Sequence, residues 1–246
     1  MGPGLTRRQL GEIRMLQKKA SARREQGLFV VEGLRMVREA PKDDVVKLVL
    51  SESMAAKPGM AQEFPDADVI SDDSFCKISD TVSPQGILAV VRQREHAMDS
   101  LLSGDKALFL EGIQDPGNVG TILRTAEAAG VSGLFMDRLT ADIYSPKVVR
   151  STMGSIFRVP FMVSDDLKKT LCDVKRAGFT AYAAHLGGRS LYELEMKSPR
   201  AFLIGNEGSG LTDELAALAD ERVYIPMQGR VESLNAAVAA AILMYR

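Results

Sequence analysis

Cysteine is scarce in this chain. Cys76 and Cys172 are the only two, far apart and without metal-ligand spacing. No disulfide framework and no metal site are expected, and the pair reads as reduced thiols of a cytoplasmic protein. The opening MGPGLTRRQL has no apolar stretch of the kind that directs secretion. The longest run of small apolar residues, Ala236 to Tyr245, is about half of what a bilayer span requires, so no membrane role is expected. Internal repeats and low-complexity tracts are also missing, which excludes solenoid and fibrous architectures.

What is present is ordinary for a globular protein of 246 residues: 46% hydrophobic and 26% charged, enough for one large domain or two modest ones. A formal net charge of −1 argues against a generally basic protein, yet the charge is uneven. Residues 1–40 hold nine Lys/Arg against four Glu, a balance of +5 that suits an arm lying along a phosphate backbone. Glu12, Glu25 and Glu39 are interspersed, and on charge alone a solvated helix face is the plainer account.

Two segments alternate strand and helix patterns. The first opens with an amphipathic helix carrying Leu10, Ile13 and Leu16, then a strand at Leu28–Val31, a helix at Leu34–Ala40 and a strand at Val46–Leu50. Short strands at Asp68–Ile70 and Gly86–Val91 flank a helix over Ser71–Ser79. Residues 92–105 are polar and read as a linker. The second segment sets continuous apolar strands at 107–111, 133–136, 159–163, 180–184, 201–204 and 223–225 between helices, the pattern of a parallel sheet covered on both faces. The domain boundaries read from this are 1–95, a linker at 96–106, and 107–246.

Three strand-to-loop junctions of the second segment carry chemistry, because ligands of parallel sheets bind beyond the carboxyl ends of the strands. In LFLEGIQDPGNVGTILRTAEAAG (108–130), Asn118 is placed to cap a helix whose apolar stripe is Val119, Ile122, Leu123, Ala126 and Ala129. Arg124 projects from nearly the opposite side. Taken alone, an exposed helix arginine is an adequate account, and the missing G-x-G-x-x-G argues against a dinucleotide site. In AFLIGNEGSGLTDEL (201–215), three glycines among residues 205–210 let a ligand approach the main chain, and Glu207 is an unusual carboxylate for loop filling. Thr212 is placed to cap the next helix. In VYIPMQGRVESLNAAVAAAILMYR (223–246), a strand ends at Ile225-Pro226-Met227, and Ser233-Leu234-Asn235 open an alanine-rich helix suited to very close packing.

In this order and spacing the three stretches resemble the signature motifs of the SpoU (TrmH-type) branch of the SPOUT RNA methyltransferases, over about residues 107–246. GLFVVEGLRMVREA (27–40) resembles that family's amino-terminal substrate-binding domain of L30e type. The resemblance implies an α/β fold with a SPOUT-type parallel sheet and a carboxyl-terminal trefoil knot, preceded by a small L30e-like α/β domain. It implies transfer of methyl from S-adenosyl-L-methionine to a ribose 2′-hydroxyl, with Gly205, Ile225, Met227 and Leu234 around the cofactor. It also implies a homodimer paired through the knot helices. Asn118, Arg124, Glu207, Ser233 and Asn235 become the polar active-site set. The family's arginine is often assigned as the base, but free guanidine is very rare in proteins. The alternative has Arg124 bind the adjacent phosphate and polarise the hydroxyl, with Glu207 and Asn235 orienting it and Ser233 and Asn118 shaping the pocket. RNA contacts are expected from Arg7, Arg8, Lys18, Lys19 and Arg23 of the basic arm, and from Lys147, Arg150, Ser151 and Arg158 in SPKVVRSTMGSIFRVP. His185, just past a strand end, is either pocket lining or a bystander.

Ribosomal RNA is favoured over transfer RNA because the two-domain layout resembles rRNA-modifying members. The alternatives are a tRNA 2′-O-methyltransferase, a base methyltransferase, and a non-catalytic assembly factor with a relic pocket. The motif forms match the ribose branch, and no catalytic aspartate pattern of the guanine-N1 branch is evident.

Overall fold

A computed structural model describes residues 5–246. Tertiary packing divides the chain into two units. One holds the residues up to Arg94 together with 142–157; the other holds Glu95–Ala141 and Arg158–Arg246.

The first unit opens with α1 (Arg7–Lys18), started by a capping box in which Thr6 accepts from the Gln9 N–H and donates its own N–H to the Gln9 side chain. Next come α2 (Ala20–Gln26), β1 (Leu28–Glu32), α3 (Leu34–Glu39), β2 (Val45–Ser51) and the single turns α4 (Glu52–Ala55) and α5 (Met60–Glu63). β3 (Asp68–Ile70), α6 (Asp72–Ile78) and β4 (Ile87–Arg92) complete the run. The sheet order is β1-β4-β2-β3, antiparallel except for the β2–β3 pair. Alternation along β1 decides what each face covers. Val30 packs with Ile13 and Leu16 of α1 and Phe75 and Ile78 of α6. Phe29 instead meets Tyr144 and Phe157, with ring centroids 4.7 and 6.2 Å away. Residues 142–157, read from sequence as part of the second segment, therefore pack with the first unit.

That packing corrects one expectation. Arg23, assigned to RNA from sequence, is only 4% exposed. Its Nε and Nη2 donate to Asp142 at 2.9 and 2.5 Å, and Nη1 donates to the carbonyls of Leu16 and Gln17 at 2.6 and 3.2 Å. With its donors spent inside the unit, Arg23 holds α1 and α2 against the 142–157 segment.

In the second unit the polar stretch expected as linker contains a helical turn, α7 (Met98–Leu101), that sinks Leu101 into the core. β5 (Lys106–Leu110), α8 (Pro116–Ala128) and β6 (Gly133–Met136) follow. The chain then visits the first unit with α9 (Pro146–Thr152) and returns through β7 (Phe161–Val163), α10 (Leu167–Arg176), β8 (Thr180–Ser190), β9 (Arg200–Ile204), α11 (Asp213–Ala217), β10 (Glu221–Tyr224) and α12 (Ala236–Met244). All six strands are parallel, in the order β10-β8-β9-β5-β6-β7. Ala107–Leu110 and Ala201–Ile204 are buried on both faces, as a covered parallel sheet requires. α10 and α11 pack on Phe109, Phe135 and Leu203, while α12 lies against α8 and β9.

The buried Arg23–Asp142 pair makes a direct prediction. Arg23→Ala removes the cation paired with Asp142, leaving that carboxylate only the Tyr144 N–H, and takes a donor from two carbonyls, which lowers unfolding free energy by about 3 kcal/mol. Lys18→Ala or Lys19→Ala, both at exposed positions, shifts it by less than about 0.5 kcal/mol. Urea denaturation of the three variants measures the difference.

Candidate active site

β5, β9 and β10 each end in one of the three loops singled out from sequence, and β8 contributes Ala184 to Leu186 beside them. The loops after β9 and β10, with those β8 residues and α12, line a cavity of about 470 Å³, within the range of small-molecule sites; the loop after β5 contributes no residue to its wall. Gly205, Ile225, Met227 and Leu234 all line it, as do Glu207, Ser233 and His185. His185 is therefore a lining residue, its Nδ1 accepting from the Gly187 N–H at 3.0 Å.

The loop after β9 folds back on itself. Asn206 and Gly210 exchange main-chain hydrogen bonds at 3.0 and 2.9 Å, and Gly210 adopts φ +72°, which favours glycine. A Cβ at Gly205 would lie 2.1 Å from the Gly210 carbonyl carbon and the Leu211 nitrogen, so only glycine fits at the root of this cradle. Sequence reasoning passed over Asn206. Its Oδ1 accepts from the Gly208 and Ser209 N–H groups at 2.9 and 3.1 Å, and its Nδ2 donates to the Gly112 carbonyl at 2.7 Å. The signal was the Asn-x-Gly spacing of an Asx turn.

Glu207 reaches out of this loop to the one after β5. It accepts from the N–H groups of Gln114 and Asp115, both at 3.2 Å, and from Asn118 Nδ2 at 2.9 Å. Asn118 Oδ1 in turn accepts from Asn235 Nδ2 at 2.9 Å. Asn235 caps α12, its Oδ1 accepting from the N–H groups of Ala237 and Val238 at 2.9 and 3.3 Å. Asn118 is not the cap of α8, contrary to the sequence expectation. Asp115 takes that place, accepting from Gly117 and Asn118 N–H at 2.6 and 3.0 Å, with Pro116 at the first helical position. Asn118 sits one turn in, freeing its side chain to join the loops.

Partial burial pushes the Glu207 carboxyl up, but donors from Asn118, Gln114 and Asp115 outweigh it and hold the group below the ordinary carboxylate value. Glu207 is accordingly an anion at neutral pH, an acceptor for the donors around it.

Arg124 lies six residues along α8 from Asn118, about 9 Å by helical rise. It is exposed and makes no hydrogen bond or ion pair among the described residues. Ser233 is exposed at the cavity wall. The structure thus joins Asn118, Glu207 and Asn235 through hydrogen bonds, sets Ser233 at the cavity, and leaves Arg124 outside the chain of bonds.

The candidate RNA contacts divide by availability. Arg7, Lys18, Lys19 and Lys147 are exposed. Arg8 pairs with Glu12 at 2.9 Å and Arg150 with Asp80 at 2.9 Å, while Arg158 pairs with Glu127. Ser151 donates its hydroxyl to the Lys147 carbonyl of its own helix. Among the described residues no His/Cys/Asp/Glu group of three or more is placed to hold a metal, and no helix is long and apolar enough to cross a membrane.

A parallel α/β unit with a small-molecule cavity beyond the carboxyl ends of its strands has the architecture of a cofactor-dependent enzyme domain. The chain belongs to the SpoU rRNA methylase family, whose family model matches residues 105–245; the model of the MRM3-like substrate binding domain matches residues 8–89. The chain is 36% identical to the 23S rRNA (guanosine(2553)-2′-O)-methyltransferase RlmP of Bacillus subtilis over 219 residues, 88% of this chain and 87% of that one. Among solved structures it resembles a putative RNA methyltransferase of the TrmH family from Porphyromonas gingivalis, with TM-score 0.84, 34% identity and 99% of both chains covered. It also resembles the SpoU methyltransferase AviRb from Streptomyces viridochromogenes in complex with AdoMet, with TM-score 0.85 and 26% identity over 98% and 96% of the two chains.

The lowered Glu207 pKa fixes the direction of a pH effect. For a depressed carboxyl, the stabilisation is complete above the unfolded-state value, about 4.3 for Glu, and is lost as pH falls through the lower folded-state value. Cofactor affinity, titrated calorimetrically from about pH 5.5 to 8.5, should show no ionisation assignable to Glu207. Glu207→Gln places an amide donor against donors and should weaken methyl transfer about tenfold or more at every pH in that window.

Proposed function

We propose that this protein transfers a methyl group from S-adenosylmethionine to a ribose 2′-hydroxyl of ribosomal RNA. The observation that carries the reading is a cavity walled by the loops after β9 and β10, with Glu207 of its wall bonded in series to Asn118 and Asn235 so that all three loops are joined. The cavity suits the cofactor's chemistry. Ile225, Met227, Leu234 and Leu243 offer apolar surface to a purine, the glycine-rich main chain allows close approach, and the carboxylates of Glu207 and Asp213 complement a cationic sulfonium and ammonium.

S-adenosylmethionine, when bound, supplies an electrophilic methyl group for in-line displacement. The protein's part is to bring the hydroxyl to it in alignment, and positioning of this kind supplies much of a rate enhancement. Arg124, exposed and without a partner among the described residues, binds the phosphate beside the target ribose and polarises the 2′-hydroxyl. Asn118 and Asn235, fixed by Glu207, orient that hydroxyl, and Ser233 bounds the pocket. Arg7, Arg8, Lys18, Lys19 and Lys147 take phosphates of the RNA.

The family's knot and dimer belong to this proposal. β10 pairs outside β8, yet the following chain returns to lay α12 on α8 and β9, a path that supports a trefoil knot in the final forty residues or so. α12 is apolar around its whole circumference, and its Val238 and the adjoining Tyr245 remain 48% and 64% exposed. Such a face supports a second copy of the chain as its cover. The free thiols of Cys76 and Cys172 support a cytoplasmic setting.

The test is transfer of labelled methyl to RNA from cells lacking the protein, followed by nucleoside analysis. A 2′-O-methylated nucleoside is expected. Arg124→Ala should cut its formation about a hundredfold while leaving cofactor affinity unchanged. Label in a base, or full turnover by Arg124→Ala with intact RNA binding, would sink the assignment.

A further inference from the structure

The Gly205–Leu211 loop contributes all seven of its residues to the cavity wall, so its shape fixes the shape of the cofactor site. Glu207 and Asn206 tie its middle to the loop after β5. Its two ends converge on one residue that has no part in the mechanism above. The main-chain N–H of Glu111, just past β5, donates to the Ile204 carbonyl at 2.9 Å, immediately before the loop begins. The carboxylate of Glu111 accepts from the Thr212 N–H and the Thr212 hydroxyl, each at 2.7 Å, immediately after the loop ends. The Thr212 hydroxyl meanwhile accepts from the Leu215 N–H at 3.3 Å, capping α11.

We propose that Glu111 is a positioning residue for the methyl donor, closing the Gly205–Leu211 loop at both ends so that its main chain stands ready to receive S-adenosylmethionine. The inference rests on the methyltransferase reading of this cavity. Both carboxylate oxygens are engaged by Thr212, one by an N–H and one by an O–H, which fixes the side chain in a single orientation. Without that hold, the loop's carboxyl end keeps the Asn206–Gly210 pair and the buried Leu211 side chain but loses its tie to β5, and binding must complete its ordering. An ordering cost of this kind falls on cofactor affinity rather than on the chemical step.

Titration calorimetry with S-adenosylmethionine tests the proposal on the full-length protein, with far-UV circular dichroism to establish that each variant folds. Glu111→Ala and Thr212→Val should each raise the cofactor Kd about tenfold. The double variant should be little worse than Glu111→Ala, whose loss already includes the hydroxyl bond that Thr212→Val removes. Thr212→Ser, which keeps the hydroxyl and the N–H, should restore binding to within about twofold of wild type. At saturating cofactor, kcat and the KM for RNA should stay near wild type in all folded variants. If Glu111→Ala fails to fold, the Thr212→Val and Thr212→Ser pair still decides the matter. Unchanged cofactor affinity in Thr212→Val, or equal weakening in Thr212→Ser, overturns the proposal. Wild-type protein that binds no S-adenosylmethionine would instead overturn the methyltransferase reading on which it rests.

Discussion

An ionised carboxylate can only accept hydrogen bonds, and that restriction at Glu207 sets the polarity of the whole site. Because Glu207 accepts, Asn118 must offer it the amide NH2 and turn its carbonyl the other way. Asn235 must then present its NH2 to that carbonyl and its own carbonyl to the N–H groups opening α12. A one-way series runs from an anion to the unpaired donors of a helix terminus, and every member has one permitted orientation. Three loops distant in sequence thereby acquire one geometry, and the side chains facing the cavity inherit it.

The parallel sheet makes this meeting possible. β5 and β9 are neighbours, so their loops emerge side by side, and the return of α12 over α8 and β9 brings the third loop alongside. Lys106 fastens the far ends of the same helices, donating to the carbonyls of Ala129 and Met244 at 3.1 and 3.0 Å. A cation at two helix carboxyl ends complements both dipoles. α8 and α12 are thus pinned below by Lys106 and above by the Asn118–Asn235 bond.

The central strands β5, β6 and β9 were legible in sequence because burial on both faces makes each a continuous apolar run, KALFL and RAFLI among them, whereas β8 runs on past the expected 184 through exposed residues to Ser190. The three loops were legible through their glycines and the resemblance these carried. Other features were closed to sequence reasoning for definable reasons. Charge on a helix does not say which arginine will be buried, and Arg23 is buried because Asp142, 119 residues away, meets it. Asn118 and Asp115 are both good capping residues, and the choice turns on Pro116, a signal that was present and went unused. Glu207 stood out in sequence as a carboxylate in a glycine-rich turn, but its partners lie 89 to 93 residues away, and spacing carries no information about such pairs. The excursion of 142–157 into the first unit was hidden for the same reason: its helix pattern fits either unit equally well.

The central claim is that Asn118 and Asn235 act as one unit under Glu207. It is tested most directly by a double-mutant cycle of Asn118→Ala and Asn235→Ala on the kcat/KM of methyl transfer to RNA. The account predicts strong non-additivity, with the double variant scarcely worse than the poorer single and a coupling energy of about 1 kcal/mol or more. Additive losses would mean that the two asparagines serve separately and that the bonded series is incidental to function.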